Sequence, residues 1–357
     1  MGFELNKSYS GFRLTKKKEI DELKSLGLFF EHDVTKAQLM VLENDDDNKV
    51  FSATFRTPPE DDTGIAHILE HSVLCGSKNF PVKEPFVELM KGSLQTFLNA
   101  MTFPDKTMYP VASRNRKDFF NLMHVYLDAV FYPNISEETF KQEGWHYELN
   151  SPKDKIVYKG VVLNEMKGEF SNPESSIDRQ LAHSLFPSTA YGFESGGDPK
   201  RIPELTYQKF KEFHRKHYHP SNSRLFLYGD GDTQSYLDFL QEKYLQDFEG
   251  IDIKTSIAYQ RSFRKPKRKP MSYPVSSDES LDKKTYVLLG YKLDKAVNHE
   301  HCLGFSILSH LLLGSSASPL RKALITSELG SEVIGGGFDD NRADTIFAVG
   351  LKGTEPE

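Results

Sequence analysis

The sequence predicts an α+β fold made of two related units, of which the second is the shorter. Three observations lead to this prediction. The chain has 357 residues, more than one ordinary domain uses. Short β-prone runs alternate along it with longer amphipathic segments of helical period. A weak internal repeat also aligns "ILEHSVLCGS" (68–77) with "ILSHLLLGSS" (307–316), which share Ile, Leu, His, Leu and Ser.

The composition is that of a folded globular protein and argues against several classes of partner. Hydrophobic residues make up 38% and charged residues 27%, and the net charge is −6. A net acidic chain disfavours nucleic acid and anionic membranes as partners. No run approaches the roughly 18 apolar residues of a membrane-spanning helix. The basic stretch "YQRSFRKPKRKP" (259–270) could contact nucleic acid, but its prolines favour an exposed linker.

The compartment is predicted from the two cysteines and the N-terminal residues. Cys75 and Cys302 do not form a disulfide framework, which is typical of a reducing compartment. The first twenty residues contain no apolar core of a secretory signal. We therefore expect a cytoplasmic protein, with an organelle matrix after removal of a transit peptide as the alternative.

The first 250 residues contain most of the predicted elements. "QLMVLENDDDNKVFSATFRT" (38–57) predicts a β-hairpin around an acidic turn. A helix capped by Asp62 or Thr63 and stopped by Gly76 follows. Further helices are predicted over 84–101, 117–131 and 203–218, a strand-to-helix transition near Val161 or Val162, and a strand at 223–230.

The remaining residues predict a linker and the beginning of a second unit. Residues 251–272 are polar, basic and interrupted by proline. After them we predict a strand at 283–293, a helix at 301–314 and a strand at 344–353. The predicted organisation is a first domain at 1–250, a linker at 251–272 and the start of a second, truncated domain at 273–357.

The pentapeptide "HILEH" (67–71) is the strongest chemical motif in the chain. On a helix, His67 and His71 are one turn apart and can direct two imidazoles at one metal ion. Glu70 lies on the same side, where it can act on a water molecule without being a ligand. Hydrolytic zinc sites use three protein ligands, an open position and a base. The competing interpretation is a helix with two surface histidines.

A third ligand is needed, and the spacing alone leaves it open. Glu165 and Glu169 of "NEMKGEF" share one helical face, so one could bind the metal and the other could support a ligand histidine. Both could instead be solvated surface residues. Cys75 could be a soft ligand, although a buried structural cysteine is the more common role. The histidine cluster "HRKHYH" (214–219) predicts a helix end and not a metal site.

Several longer motifs carry a resemblance to a known family. In order along the chain they resemble the presequence-protease branch of the M16, pitrilysin-type inverzincin metallopeptidases. The resemblance covers most of residues 1–250 and continues more weakly through "GSSASPLRKALI" (314–325). The motifs are "TGIAHILEHSVLCGSKNFPVKEPF", "SLQTFLNAMTFPDKTMYPV", "GVVLNEMKG", "SGGDP" and "HYHPSN".

The resemblance implies a role for particular residues of this chain. It implies one Zn²⁺ held by His67, His71 and Glu165, with Glu70 as general base and Glu169 in support of the ligands. It also implies an apolar pocket for the residue after the scissile bond and an edge strand that pairs with the substrate backbone. The pocket residues are Leu74, Phe86, Val87 and Met90, and Asn99 and Ala100 belong to the edge strand.

The predicted fold and function follow from the same resemblance. It implies α/β sandwich domains, with an antiparallel-rich sheet packed against helices, arranged in two homologous units of which the second is incomplete. The predicted activity is zinc-dependent hydrolysis of short unstructured peptides. Family members are much longer, so we expect a fragment whose partner is the missing C-terminal half. The alternative function is a non-catalytic M16 scaffold or peptide-binding subunit.

Overall fold

The computed structural model describes residues 2–83 and 85–356, and the chain divides into two compact units. The first unit contains residues 1–58, 62–164 and 195–255, and the second contains 59–61, 165–194 and 256–357. The division differs from the predicted domain limits, because residues 165–194 group with the second unit.

Fourteen strands and ten α-helices are found among the described residues. The strands are β1 (Ser8–Tyr9), β2 (Phe12–Ile20), β3 (Ser25–His32), β4 (Gln38–Glu43), β5 (Lys49–Arg56), β6 (Gln95–Leu98), β7 (Met101–Thr102), β8 (Lys106–Ser113), β9 (His146–Glu148), β10 (Val157–Lys159), β11 (Ser223–Gly229), β12 (Thr285–Lys295), β13 (Glu332–Asp339) and β14 (Asp344–Thr354). The helices are α1 (Ile65–Val73), α2 (Pro85–Gly92), α3 (Arg116–Phe131), α4 (Glu137–Glu143), α5 (Val161–Ser171), α6 (Pro173–Leu185), α7 (Tyr207–His217), α8 (Thr233–Lys243), α9 (His299–Leu313) and α10 (Pro319–Thr326).

A nine-stranded sheet organises the first unit. Its order is β1-β2-β3-β4-β11-β5-β8-β6, and β7 pairs with β8 beside β6. All of its pairings are antiparallel except that between β11 and β4. Helices α1 and α3 pack against β8, and α4 and α7 pack against α1. The α+β class and the antiparallel-rich sheet are therefore confirmed.

The predicted β-hairpin at 38–57 is wrong, because β11 lies between β4 and β5. Leu225 pairs with Leu39 on one side and with Ala53 on the other, and all three side chains are buried. The acidic turn therefore connects strands that are two positions apart in the sheet. It is tied to the end of β11, since the Tyr228 hydroxyl donates to Asp46 over 3.1 Å. Nothing in the sequence of the turn predicts that β11, which begins at Ser223, lies between β4 and β5.

Three predicted helices have different bounds in the structure. Helix α1 begins at Ile65, and its N-cap position is Gly64 in a left-handed conformation (φ +68°), not Asp62 or Thr63 as predicted. The helix predicted at 84–101 is α2 followed by β6, and Glu84 lies outside the described residues. Helix α7 begins later than Pro203, because the Thr206 side chain accepts a hydrogen bond from the Lys209 amide.

Other predicted elements are found near their predicted positions. Helix α3, the transition from β10 to α5, and strand β11 agree with the prediction within about two residues. So do β12, α9 and β14 of the second unit. Residues 251–272 contain no helix or strand, but 256–272 group with the second unit and Gln260 is buried, so their assignment as a linker stays a prediction.

The second unit is built on a three-stranded antiparallel sheet of order β12-β14-β13. Helix α6 packs against β12, and α9 and α10 pack against β13. A small core joins Leu185, Phe186 and Tyr191 to Ile346 of β14. Helix α9 leaves several large apolar side chains exposed: Leu303, Ile307, Leu308 and Leu311. Within residues 2–83 and 85–356, no helix has the length and apolarity that a membrane crossing requires.

His214 of α7 is a buried histidine that we expect to make the first unit less stable in acid. Its Nε2 lies 2.9 Å from the Val130 carbonyl, and its ring stacks on Tyr218. Burial lowers the pKa of His214 to about 4, whereas an unfolded histidine titrates near 6.5. Between these values the unfolded chain binds the extra proton, so stability is full above pH 6.5 and falls as the pH drops toward 4.

We therefore expect the free energy of unfolding to fall by roughly 1–2 kcal/mol between pH 7 and pH 5 because of His214. Urea unfolding at the two pH values measures this. His214→Gln should lose less stability in acid than the wild type, and His299→Gln, an exposed control, should lose as much as the wild type. Equal acid losses in all three proteins would contradict the assignment.

Candidate metal centre

Helix α1 presents the HILEH residues on two faces. Ile68 and Leu69 are fully buried beneath the helix, and Glu70 is 8% exposed. His67 and His71 are half-buried, and their ring centroids are 5.0 Å apart. The helical spacing therefore places the two imidazoles side by side, as the sequence predicts.

The start of α1 is fixed by a close approach of glycines. A Cβ atom on Gly64 would lie 2.6 Å from the Gly196 carbonyl oxygen and 2.7 Å from the Gly197 Cα. His67 Nδ1 lies 3.1 Å from the same Gly196 oxygen. A carbonyl oxygen only accepts hydrogen bonds, so Nδ1 is the donor and Nε2 carries the lone pair that a metal needs. Gly196 of the SGGDP motif thus orients His67.

His71 is oriented by a carboxylate that no sequence pattern indicates. Its Nδ1 lies 3.3 Å from Oε2 of Glu143, the last residue of α4. Burial on its own raises the pKa of Glu143, but hydrogen bonds from His71 and Gln142 outweigh it, so the pKa is lowered. Glu143 is 72 residues from His71 in sequence, and no local pattern marks it.

Glu165 comes from helix α5, which begins in the first unit and reaches Glu165 in its second turn. One ligand-type atom each of His67, His71 and Glu165 lie within 4.8 Å of one another. The structure thus brings together the three predicted metal ligands. Glu165 is exposed, and the two histidines are half-buried.

The start of α5 depends on a second contact between glycines. A Cβ atom on Gly160 would lie 2.0 Å from the Gly144 carbonyl oxygen and 2.9 Å from the Trp145 Cα. Gly144 follows α4, and its own Cβ would lie 3.2 Å from Cγ2 of Ile68 in α1. The backbones before α5 and after α4 therefore touch, and Gly144 lies against α1.

Glu70 faces a layer of buried tyrosines. Burial raises the pKa of Tyr109, Tyr126 and Tyr218, and the negative charge of Glu70 adds to the effect for each. These phenols stay neutral at physiological pH. The Glu70 carboxylate makes no hydrogen bond or ion pair with residues 2–83 or 85–356. A carboxylate without such partners can accept a proton from a bound water molecule.

The residues of the predicted apolar pocket lie at the end of α1 and on α2. Leu74 directly follows α1 and is half-buried. Phe86 and Val87 in the first turn of α2 are also half-buried, whereas Met90 is 51% exposed. Their assignment to a pocket remains a prediction.

Asn99 and Ala100 lie in the connection between β6 and β7, at one end of the sheet order. They are not inside a strand, but the Asn99 amide donates to the Pro110 carbonyl of β8. Their role in binding a substrate backbone remains a prediction.

Glu169 and Cys75 have the following contacts. The Ser175 hydroxyl lies 3.5 Å from the exposed Glu169 carboxylate, and the predicted support of a ligand by Glu169 stays a prediction. The Cys75 thiol donates to the His71 carbonyl and lies 3.7 Å from Oε1 of Glu143.

Comparison with known proteins identifies the family. The family model "Insulinase (Peptidase family M16)" matches residues 55–169, which include the candidate site residues His67, Glu70, His71 and Glu165. "Peptidase M16 inactive domain" matches residues 204–357. The chain belongs to the M16 peptidase family.

Within this family the chain is similar to presequence proteases. Presequence protease 1, chloroplastic/mitochondrial, of Arabidopsis thaliana is 51% identical over 97% of this chain and 32% of that protein. The mitochondrial presequence protease of Xenopus laevis is 40% identical over 98% and 35%, respectively. Protein HypA of Clostridium perfringens is 51% identical over 99% and 37%. The chain spans about a third of the length of these relatives.

Solved structures confirm the fold. A protease from Helicobacter pylori superimposes with a TM-score of 0.66 at 18% identity, over 90% of this chain and 74% of that chain. A peptidase M16 inactive domain from Pseudomonas fluorescens has a TM-score of 0.67 at 15% identity, over 92% and 74%. At this identity the similarity shows the M16 fold alone.

Proposed function

We propose that this chain carries the catalytic centre of a zinc-dependent endopeptidase that degrades short unstructured peptides. His67, His71 and Glu165 are the zinc ligands, and Glu70 is the general base. The observation that carries the proposal is the convergence of two imidazoles and a carboxylate, donated by two helices, beside Glu70.

The donor set suits a catalytic zinc ion. Two histidines and one carboxylate are a common ligand set of hydrolytic zinc, with a fourth position left for water or substrate. Gly196 O and the Glu143 carboxylate are acceptors beside Nδ1 of the two histidines, which favours the Nδ1–H tautomer of both. Their Nε2 atoms are therefore in the ligating form.

Zinc and Glu70 have different roles in the proposed hydrolysis of the peptide bond. Zinc, when bound, supplies a Lewis acid that increases the acidity of water and polarises the scissile carbonyl. The Glu70 carboxylate accepts a proton from the attacking water and donates it to the leaving nitrogen. The tyrosine layer behind Glu70 keeps bulk water from its buried side.

The substrate class is proposed from the sheet edge and the family resemblance. Strand β6 is at the end of the main sheet order, where an extended peptide can add as a further strand. Backbone pairing makes few demands on sequence, which suits broad cleavage of unfolded peptides. Leu74, Phe86, Val87 and Met90 are proposed to bind the side chain after the scissile bond.

The proposed partner within the same enzyme is a C-terminal half such as the longer relatives have. Its support is the length of those relatives and the exposed apolar side chains of α9. The bacterial and the plant relative are each 51% identical. A bacterial relative is compatible with the cytoplasmic expectation, and a chloroplastic/mitochondrial relative is compatible with the organelle-matrix alternative.

Zinc content is the direct test of the proposed centre. We expect the purified chain to bind about one zinc ion, measured by elemental mass spectrometry, and His71→Ala to lose it because a ligand is removed. His299→Ala, which changes an exposed histidine of α9, is the matched control and should keep the zinc.

The outcomes separate the proposal from its alternative. Zinc absent from the wild-type chain, or retained in His71→Ala, would overturn the centre and favour a non-catalytic scaffold or peptide-binding subunit. The measurement is preferred to turnover because the chain spans about a third of its relatives.

A further inference from the structure

Glu143 is a buried carboxylate at a position where burial needs a reason. Its side chain is 8% exposed, and an isolated buried charge is costly unless hydrogen bonds compensate it. It ends helix α4, whose other glutamates, Glu137 and Glu138, are exposed. The interior position of Glu143 is thus a feature of this one residue and not of the helix.

Both oxygens of the Glu143 carboxylate are engaged. Oε2 lies 3.3 Å from His71 Nδ1, and Oε1 accepts from Gln142 Nε2 over 2.9 Å. The Cys75 thiol lies 3.7 Å from the same Oε1. These contacts restrict the rotation of the carboxylate, so its direction toward His71 is fixed from several sides.

The backbone holds α4 close enough for this contact. Gly144, directly after Glu143, has no room for a Cβ, which would meet the Phe140 carbonyl oxygen at 2.8 Å and Ile68 Cγ2 at 3.2 Å. Phe140, one turn earlier, is 4% exposed. The end of α4 is therefore pressed against α1 beside the turn that carries His71.

The two candidate ligand histidines are supported in different ways. His67 donates to a backbone carbonyl, a neutral acceptor that no side-chain substitution removes. His71 faces a carboxylate, which fixes the Nδ1–H tautomer more strongly and increases the electron donation of Nε2. Glu143 is thus a support that mutation can remove without changing a ligand.

We propose that Glu143 is a positioning residue for the metal centre, which holds His71 in the tautomer and orientation that present Nε2 to zinc. The inference rests on the proposed function, since it concerns how that zinc is held. Glu143 of α4 thus has the role of supporting a ligand histidine, which the family resemblance implies for Glu169 of α5.

The first test compares zinc affinity in three proteins by competition with a chromophoric chelator. Glu143→Gln keeps the size of the side chain and removes its charge, and should weaken zinc binding by about 10- to 100-fold. Glu138→Gln makes the same change at an exposed position of the same helix and should bind zinc as the wild type does. Glu143→Asp, which keeps the charge, should recover part of the affinity.

The second test reads the tautomer without metal. In histidine-labelled, zinc-free wild type, nitrogen NMR should show His71 protonated at Nδ1, with the signal identified by its absence in His71→Ala. In Glu143→Gln the Nε2–H form should gain population. This readout is independent of activity, and its wild-type measurement does not require a Glu143 variant to fold.

The outcomes are distinguishable from those of the proposed function. Unchanged zinc affinity in Glu143→Gln, or a wild-type His71 protonated at Nε2, would overturn the role of Glu143. A wild-type chain that binds no zinc but shows the Nδ1–H tautomer would overturn the zinc proposal and leave the contact between Glu143 and His71 in place.

Discussion

Glu70→Gln is expected to remove peptide hydrolysis while zinc stays bound. The amide has nearly the shape of the carboxylate but cannot accept the proton of the attacking water. General acid–base catalysis contributes about 10²–10⁴-fold, so turnover should fall by at least about 100-fold. The expectation depends on the structure, because Glu70 is buried, lies on the same helix as His67 and His71, and its carboxylate has no hydrogen-bond or ion-pair partner among residues 2–83 and 85–356.

The measurement pairs turnover with zinc content in the same protein form. Cleavage of a fluorogenic unstructured peptide is followed for the wild type and for Glu70→Gln, and zinc is determined in both. Glu212→Gln, at an exposed position of α7, is the matched control and should cleave as the wild type does. Turnover retained in Glu70→Gln with zinc bound would show that another group takes the proton.

The local part of this molecule is predictable from its sequence. His67 and His71 are four residues apart, about one helical turn, so they share a helical face, and the same geometry is found in α1. The apolar period of α3 and the β-prone run of β14 are also read correctly. In each case the physical cause lies within a few residues of its effect.

The long-range part is not predictable in this way. Strand β11 enters the sheet between β4 and β5, although the turn between those two strands has the composition of a hairpin. The strand order depends on the pairing of β11, which is distant in sequence, with both β4 and β5. Sequence patterns that look alike locally therefore leave the topology open.

The supports of the metal centre are missed for the same reason. Glu143 and Gly196 contact His71 and His67 from loops and helices distant in sequence. No sequence motif around Glu143 or Gly196 indicates which histidine each of them contacts. The paired glycines of SGGDP indicate a close backbone approach, but not which helix approaches. The two candidate histidine ligands belong to one local motif and are predictable, whereas spacing alone leaves Glu165 and Glu169 open, and the orientation of the histidines depends on tertiary packing.

Gly160→Ala is expected to damage the metal centre without touching a ligand. A Cβ at residue 160 would lie 2.0 Å from the Gly144 carbonyl oxygen, where no atom can remain. The obstacle is backbone and cannot rotate away, so the segments before α5 and after α4 must separate. We expect unfolding stability to fall by about 3 kcal/mol, at the upper end of overpacking costs.

The same shift should weaken zinc binding by two routes. It moves α5, which carries Glu165, and it moves the end of α4, which carries Glu143. Gly168→Ala is the matched control, because it adds the same methyl group to α5 where nothing lies within 4 Å. That change should stabilise the chain by about 0.5–1 kcal/mol, since alanine is the better helix former.

Urea unfolding and zinc affinity, measured for both variants, separate packing from helix propensity. Loss of stability and of zinc affinity in Gly160→Ala, beside a gain of stability and unchanged zinc affinity in Gly168→Ala, is the expected result. If Gly160→Ala binds zinc as tightly as the wild type, the contact between residues 144 and 160 does not hold the centre together. The position of Glu165 would then have to be fixed by the rest of α5.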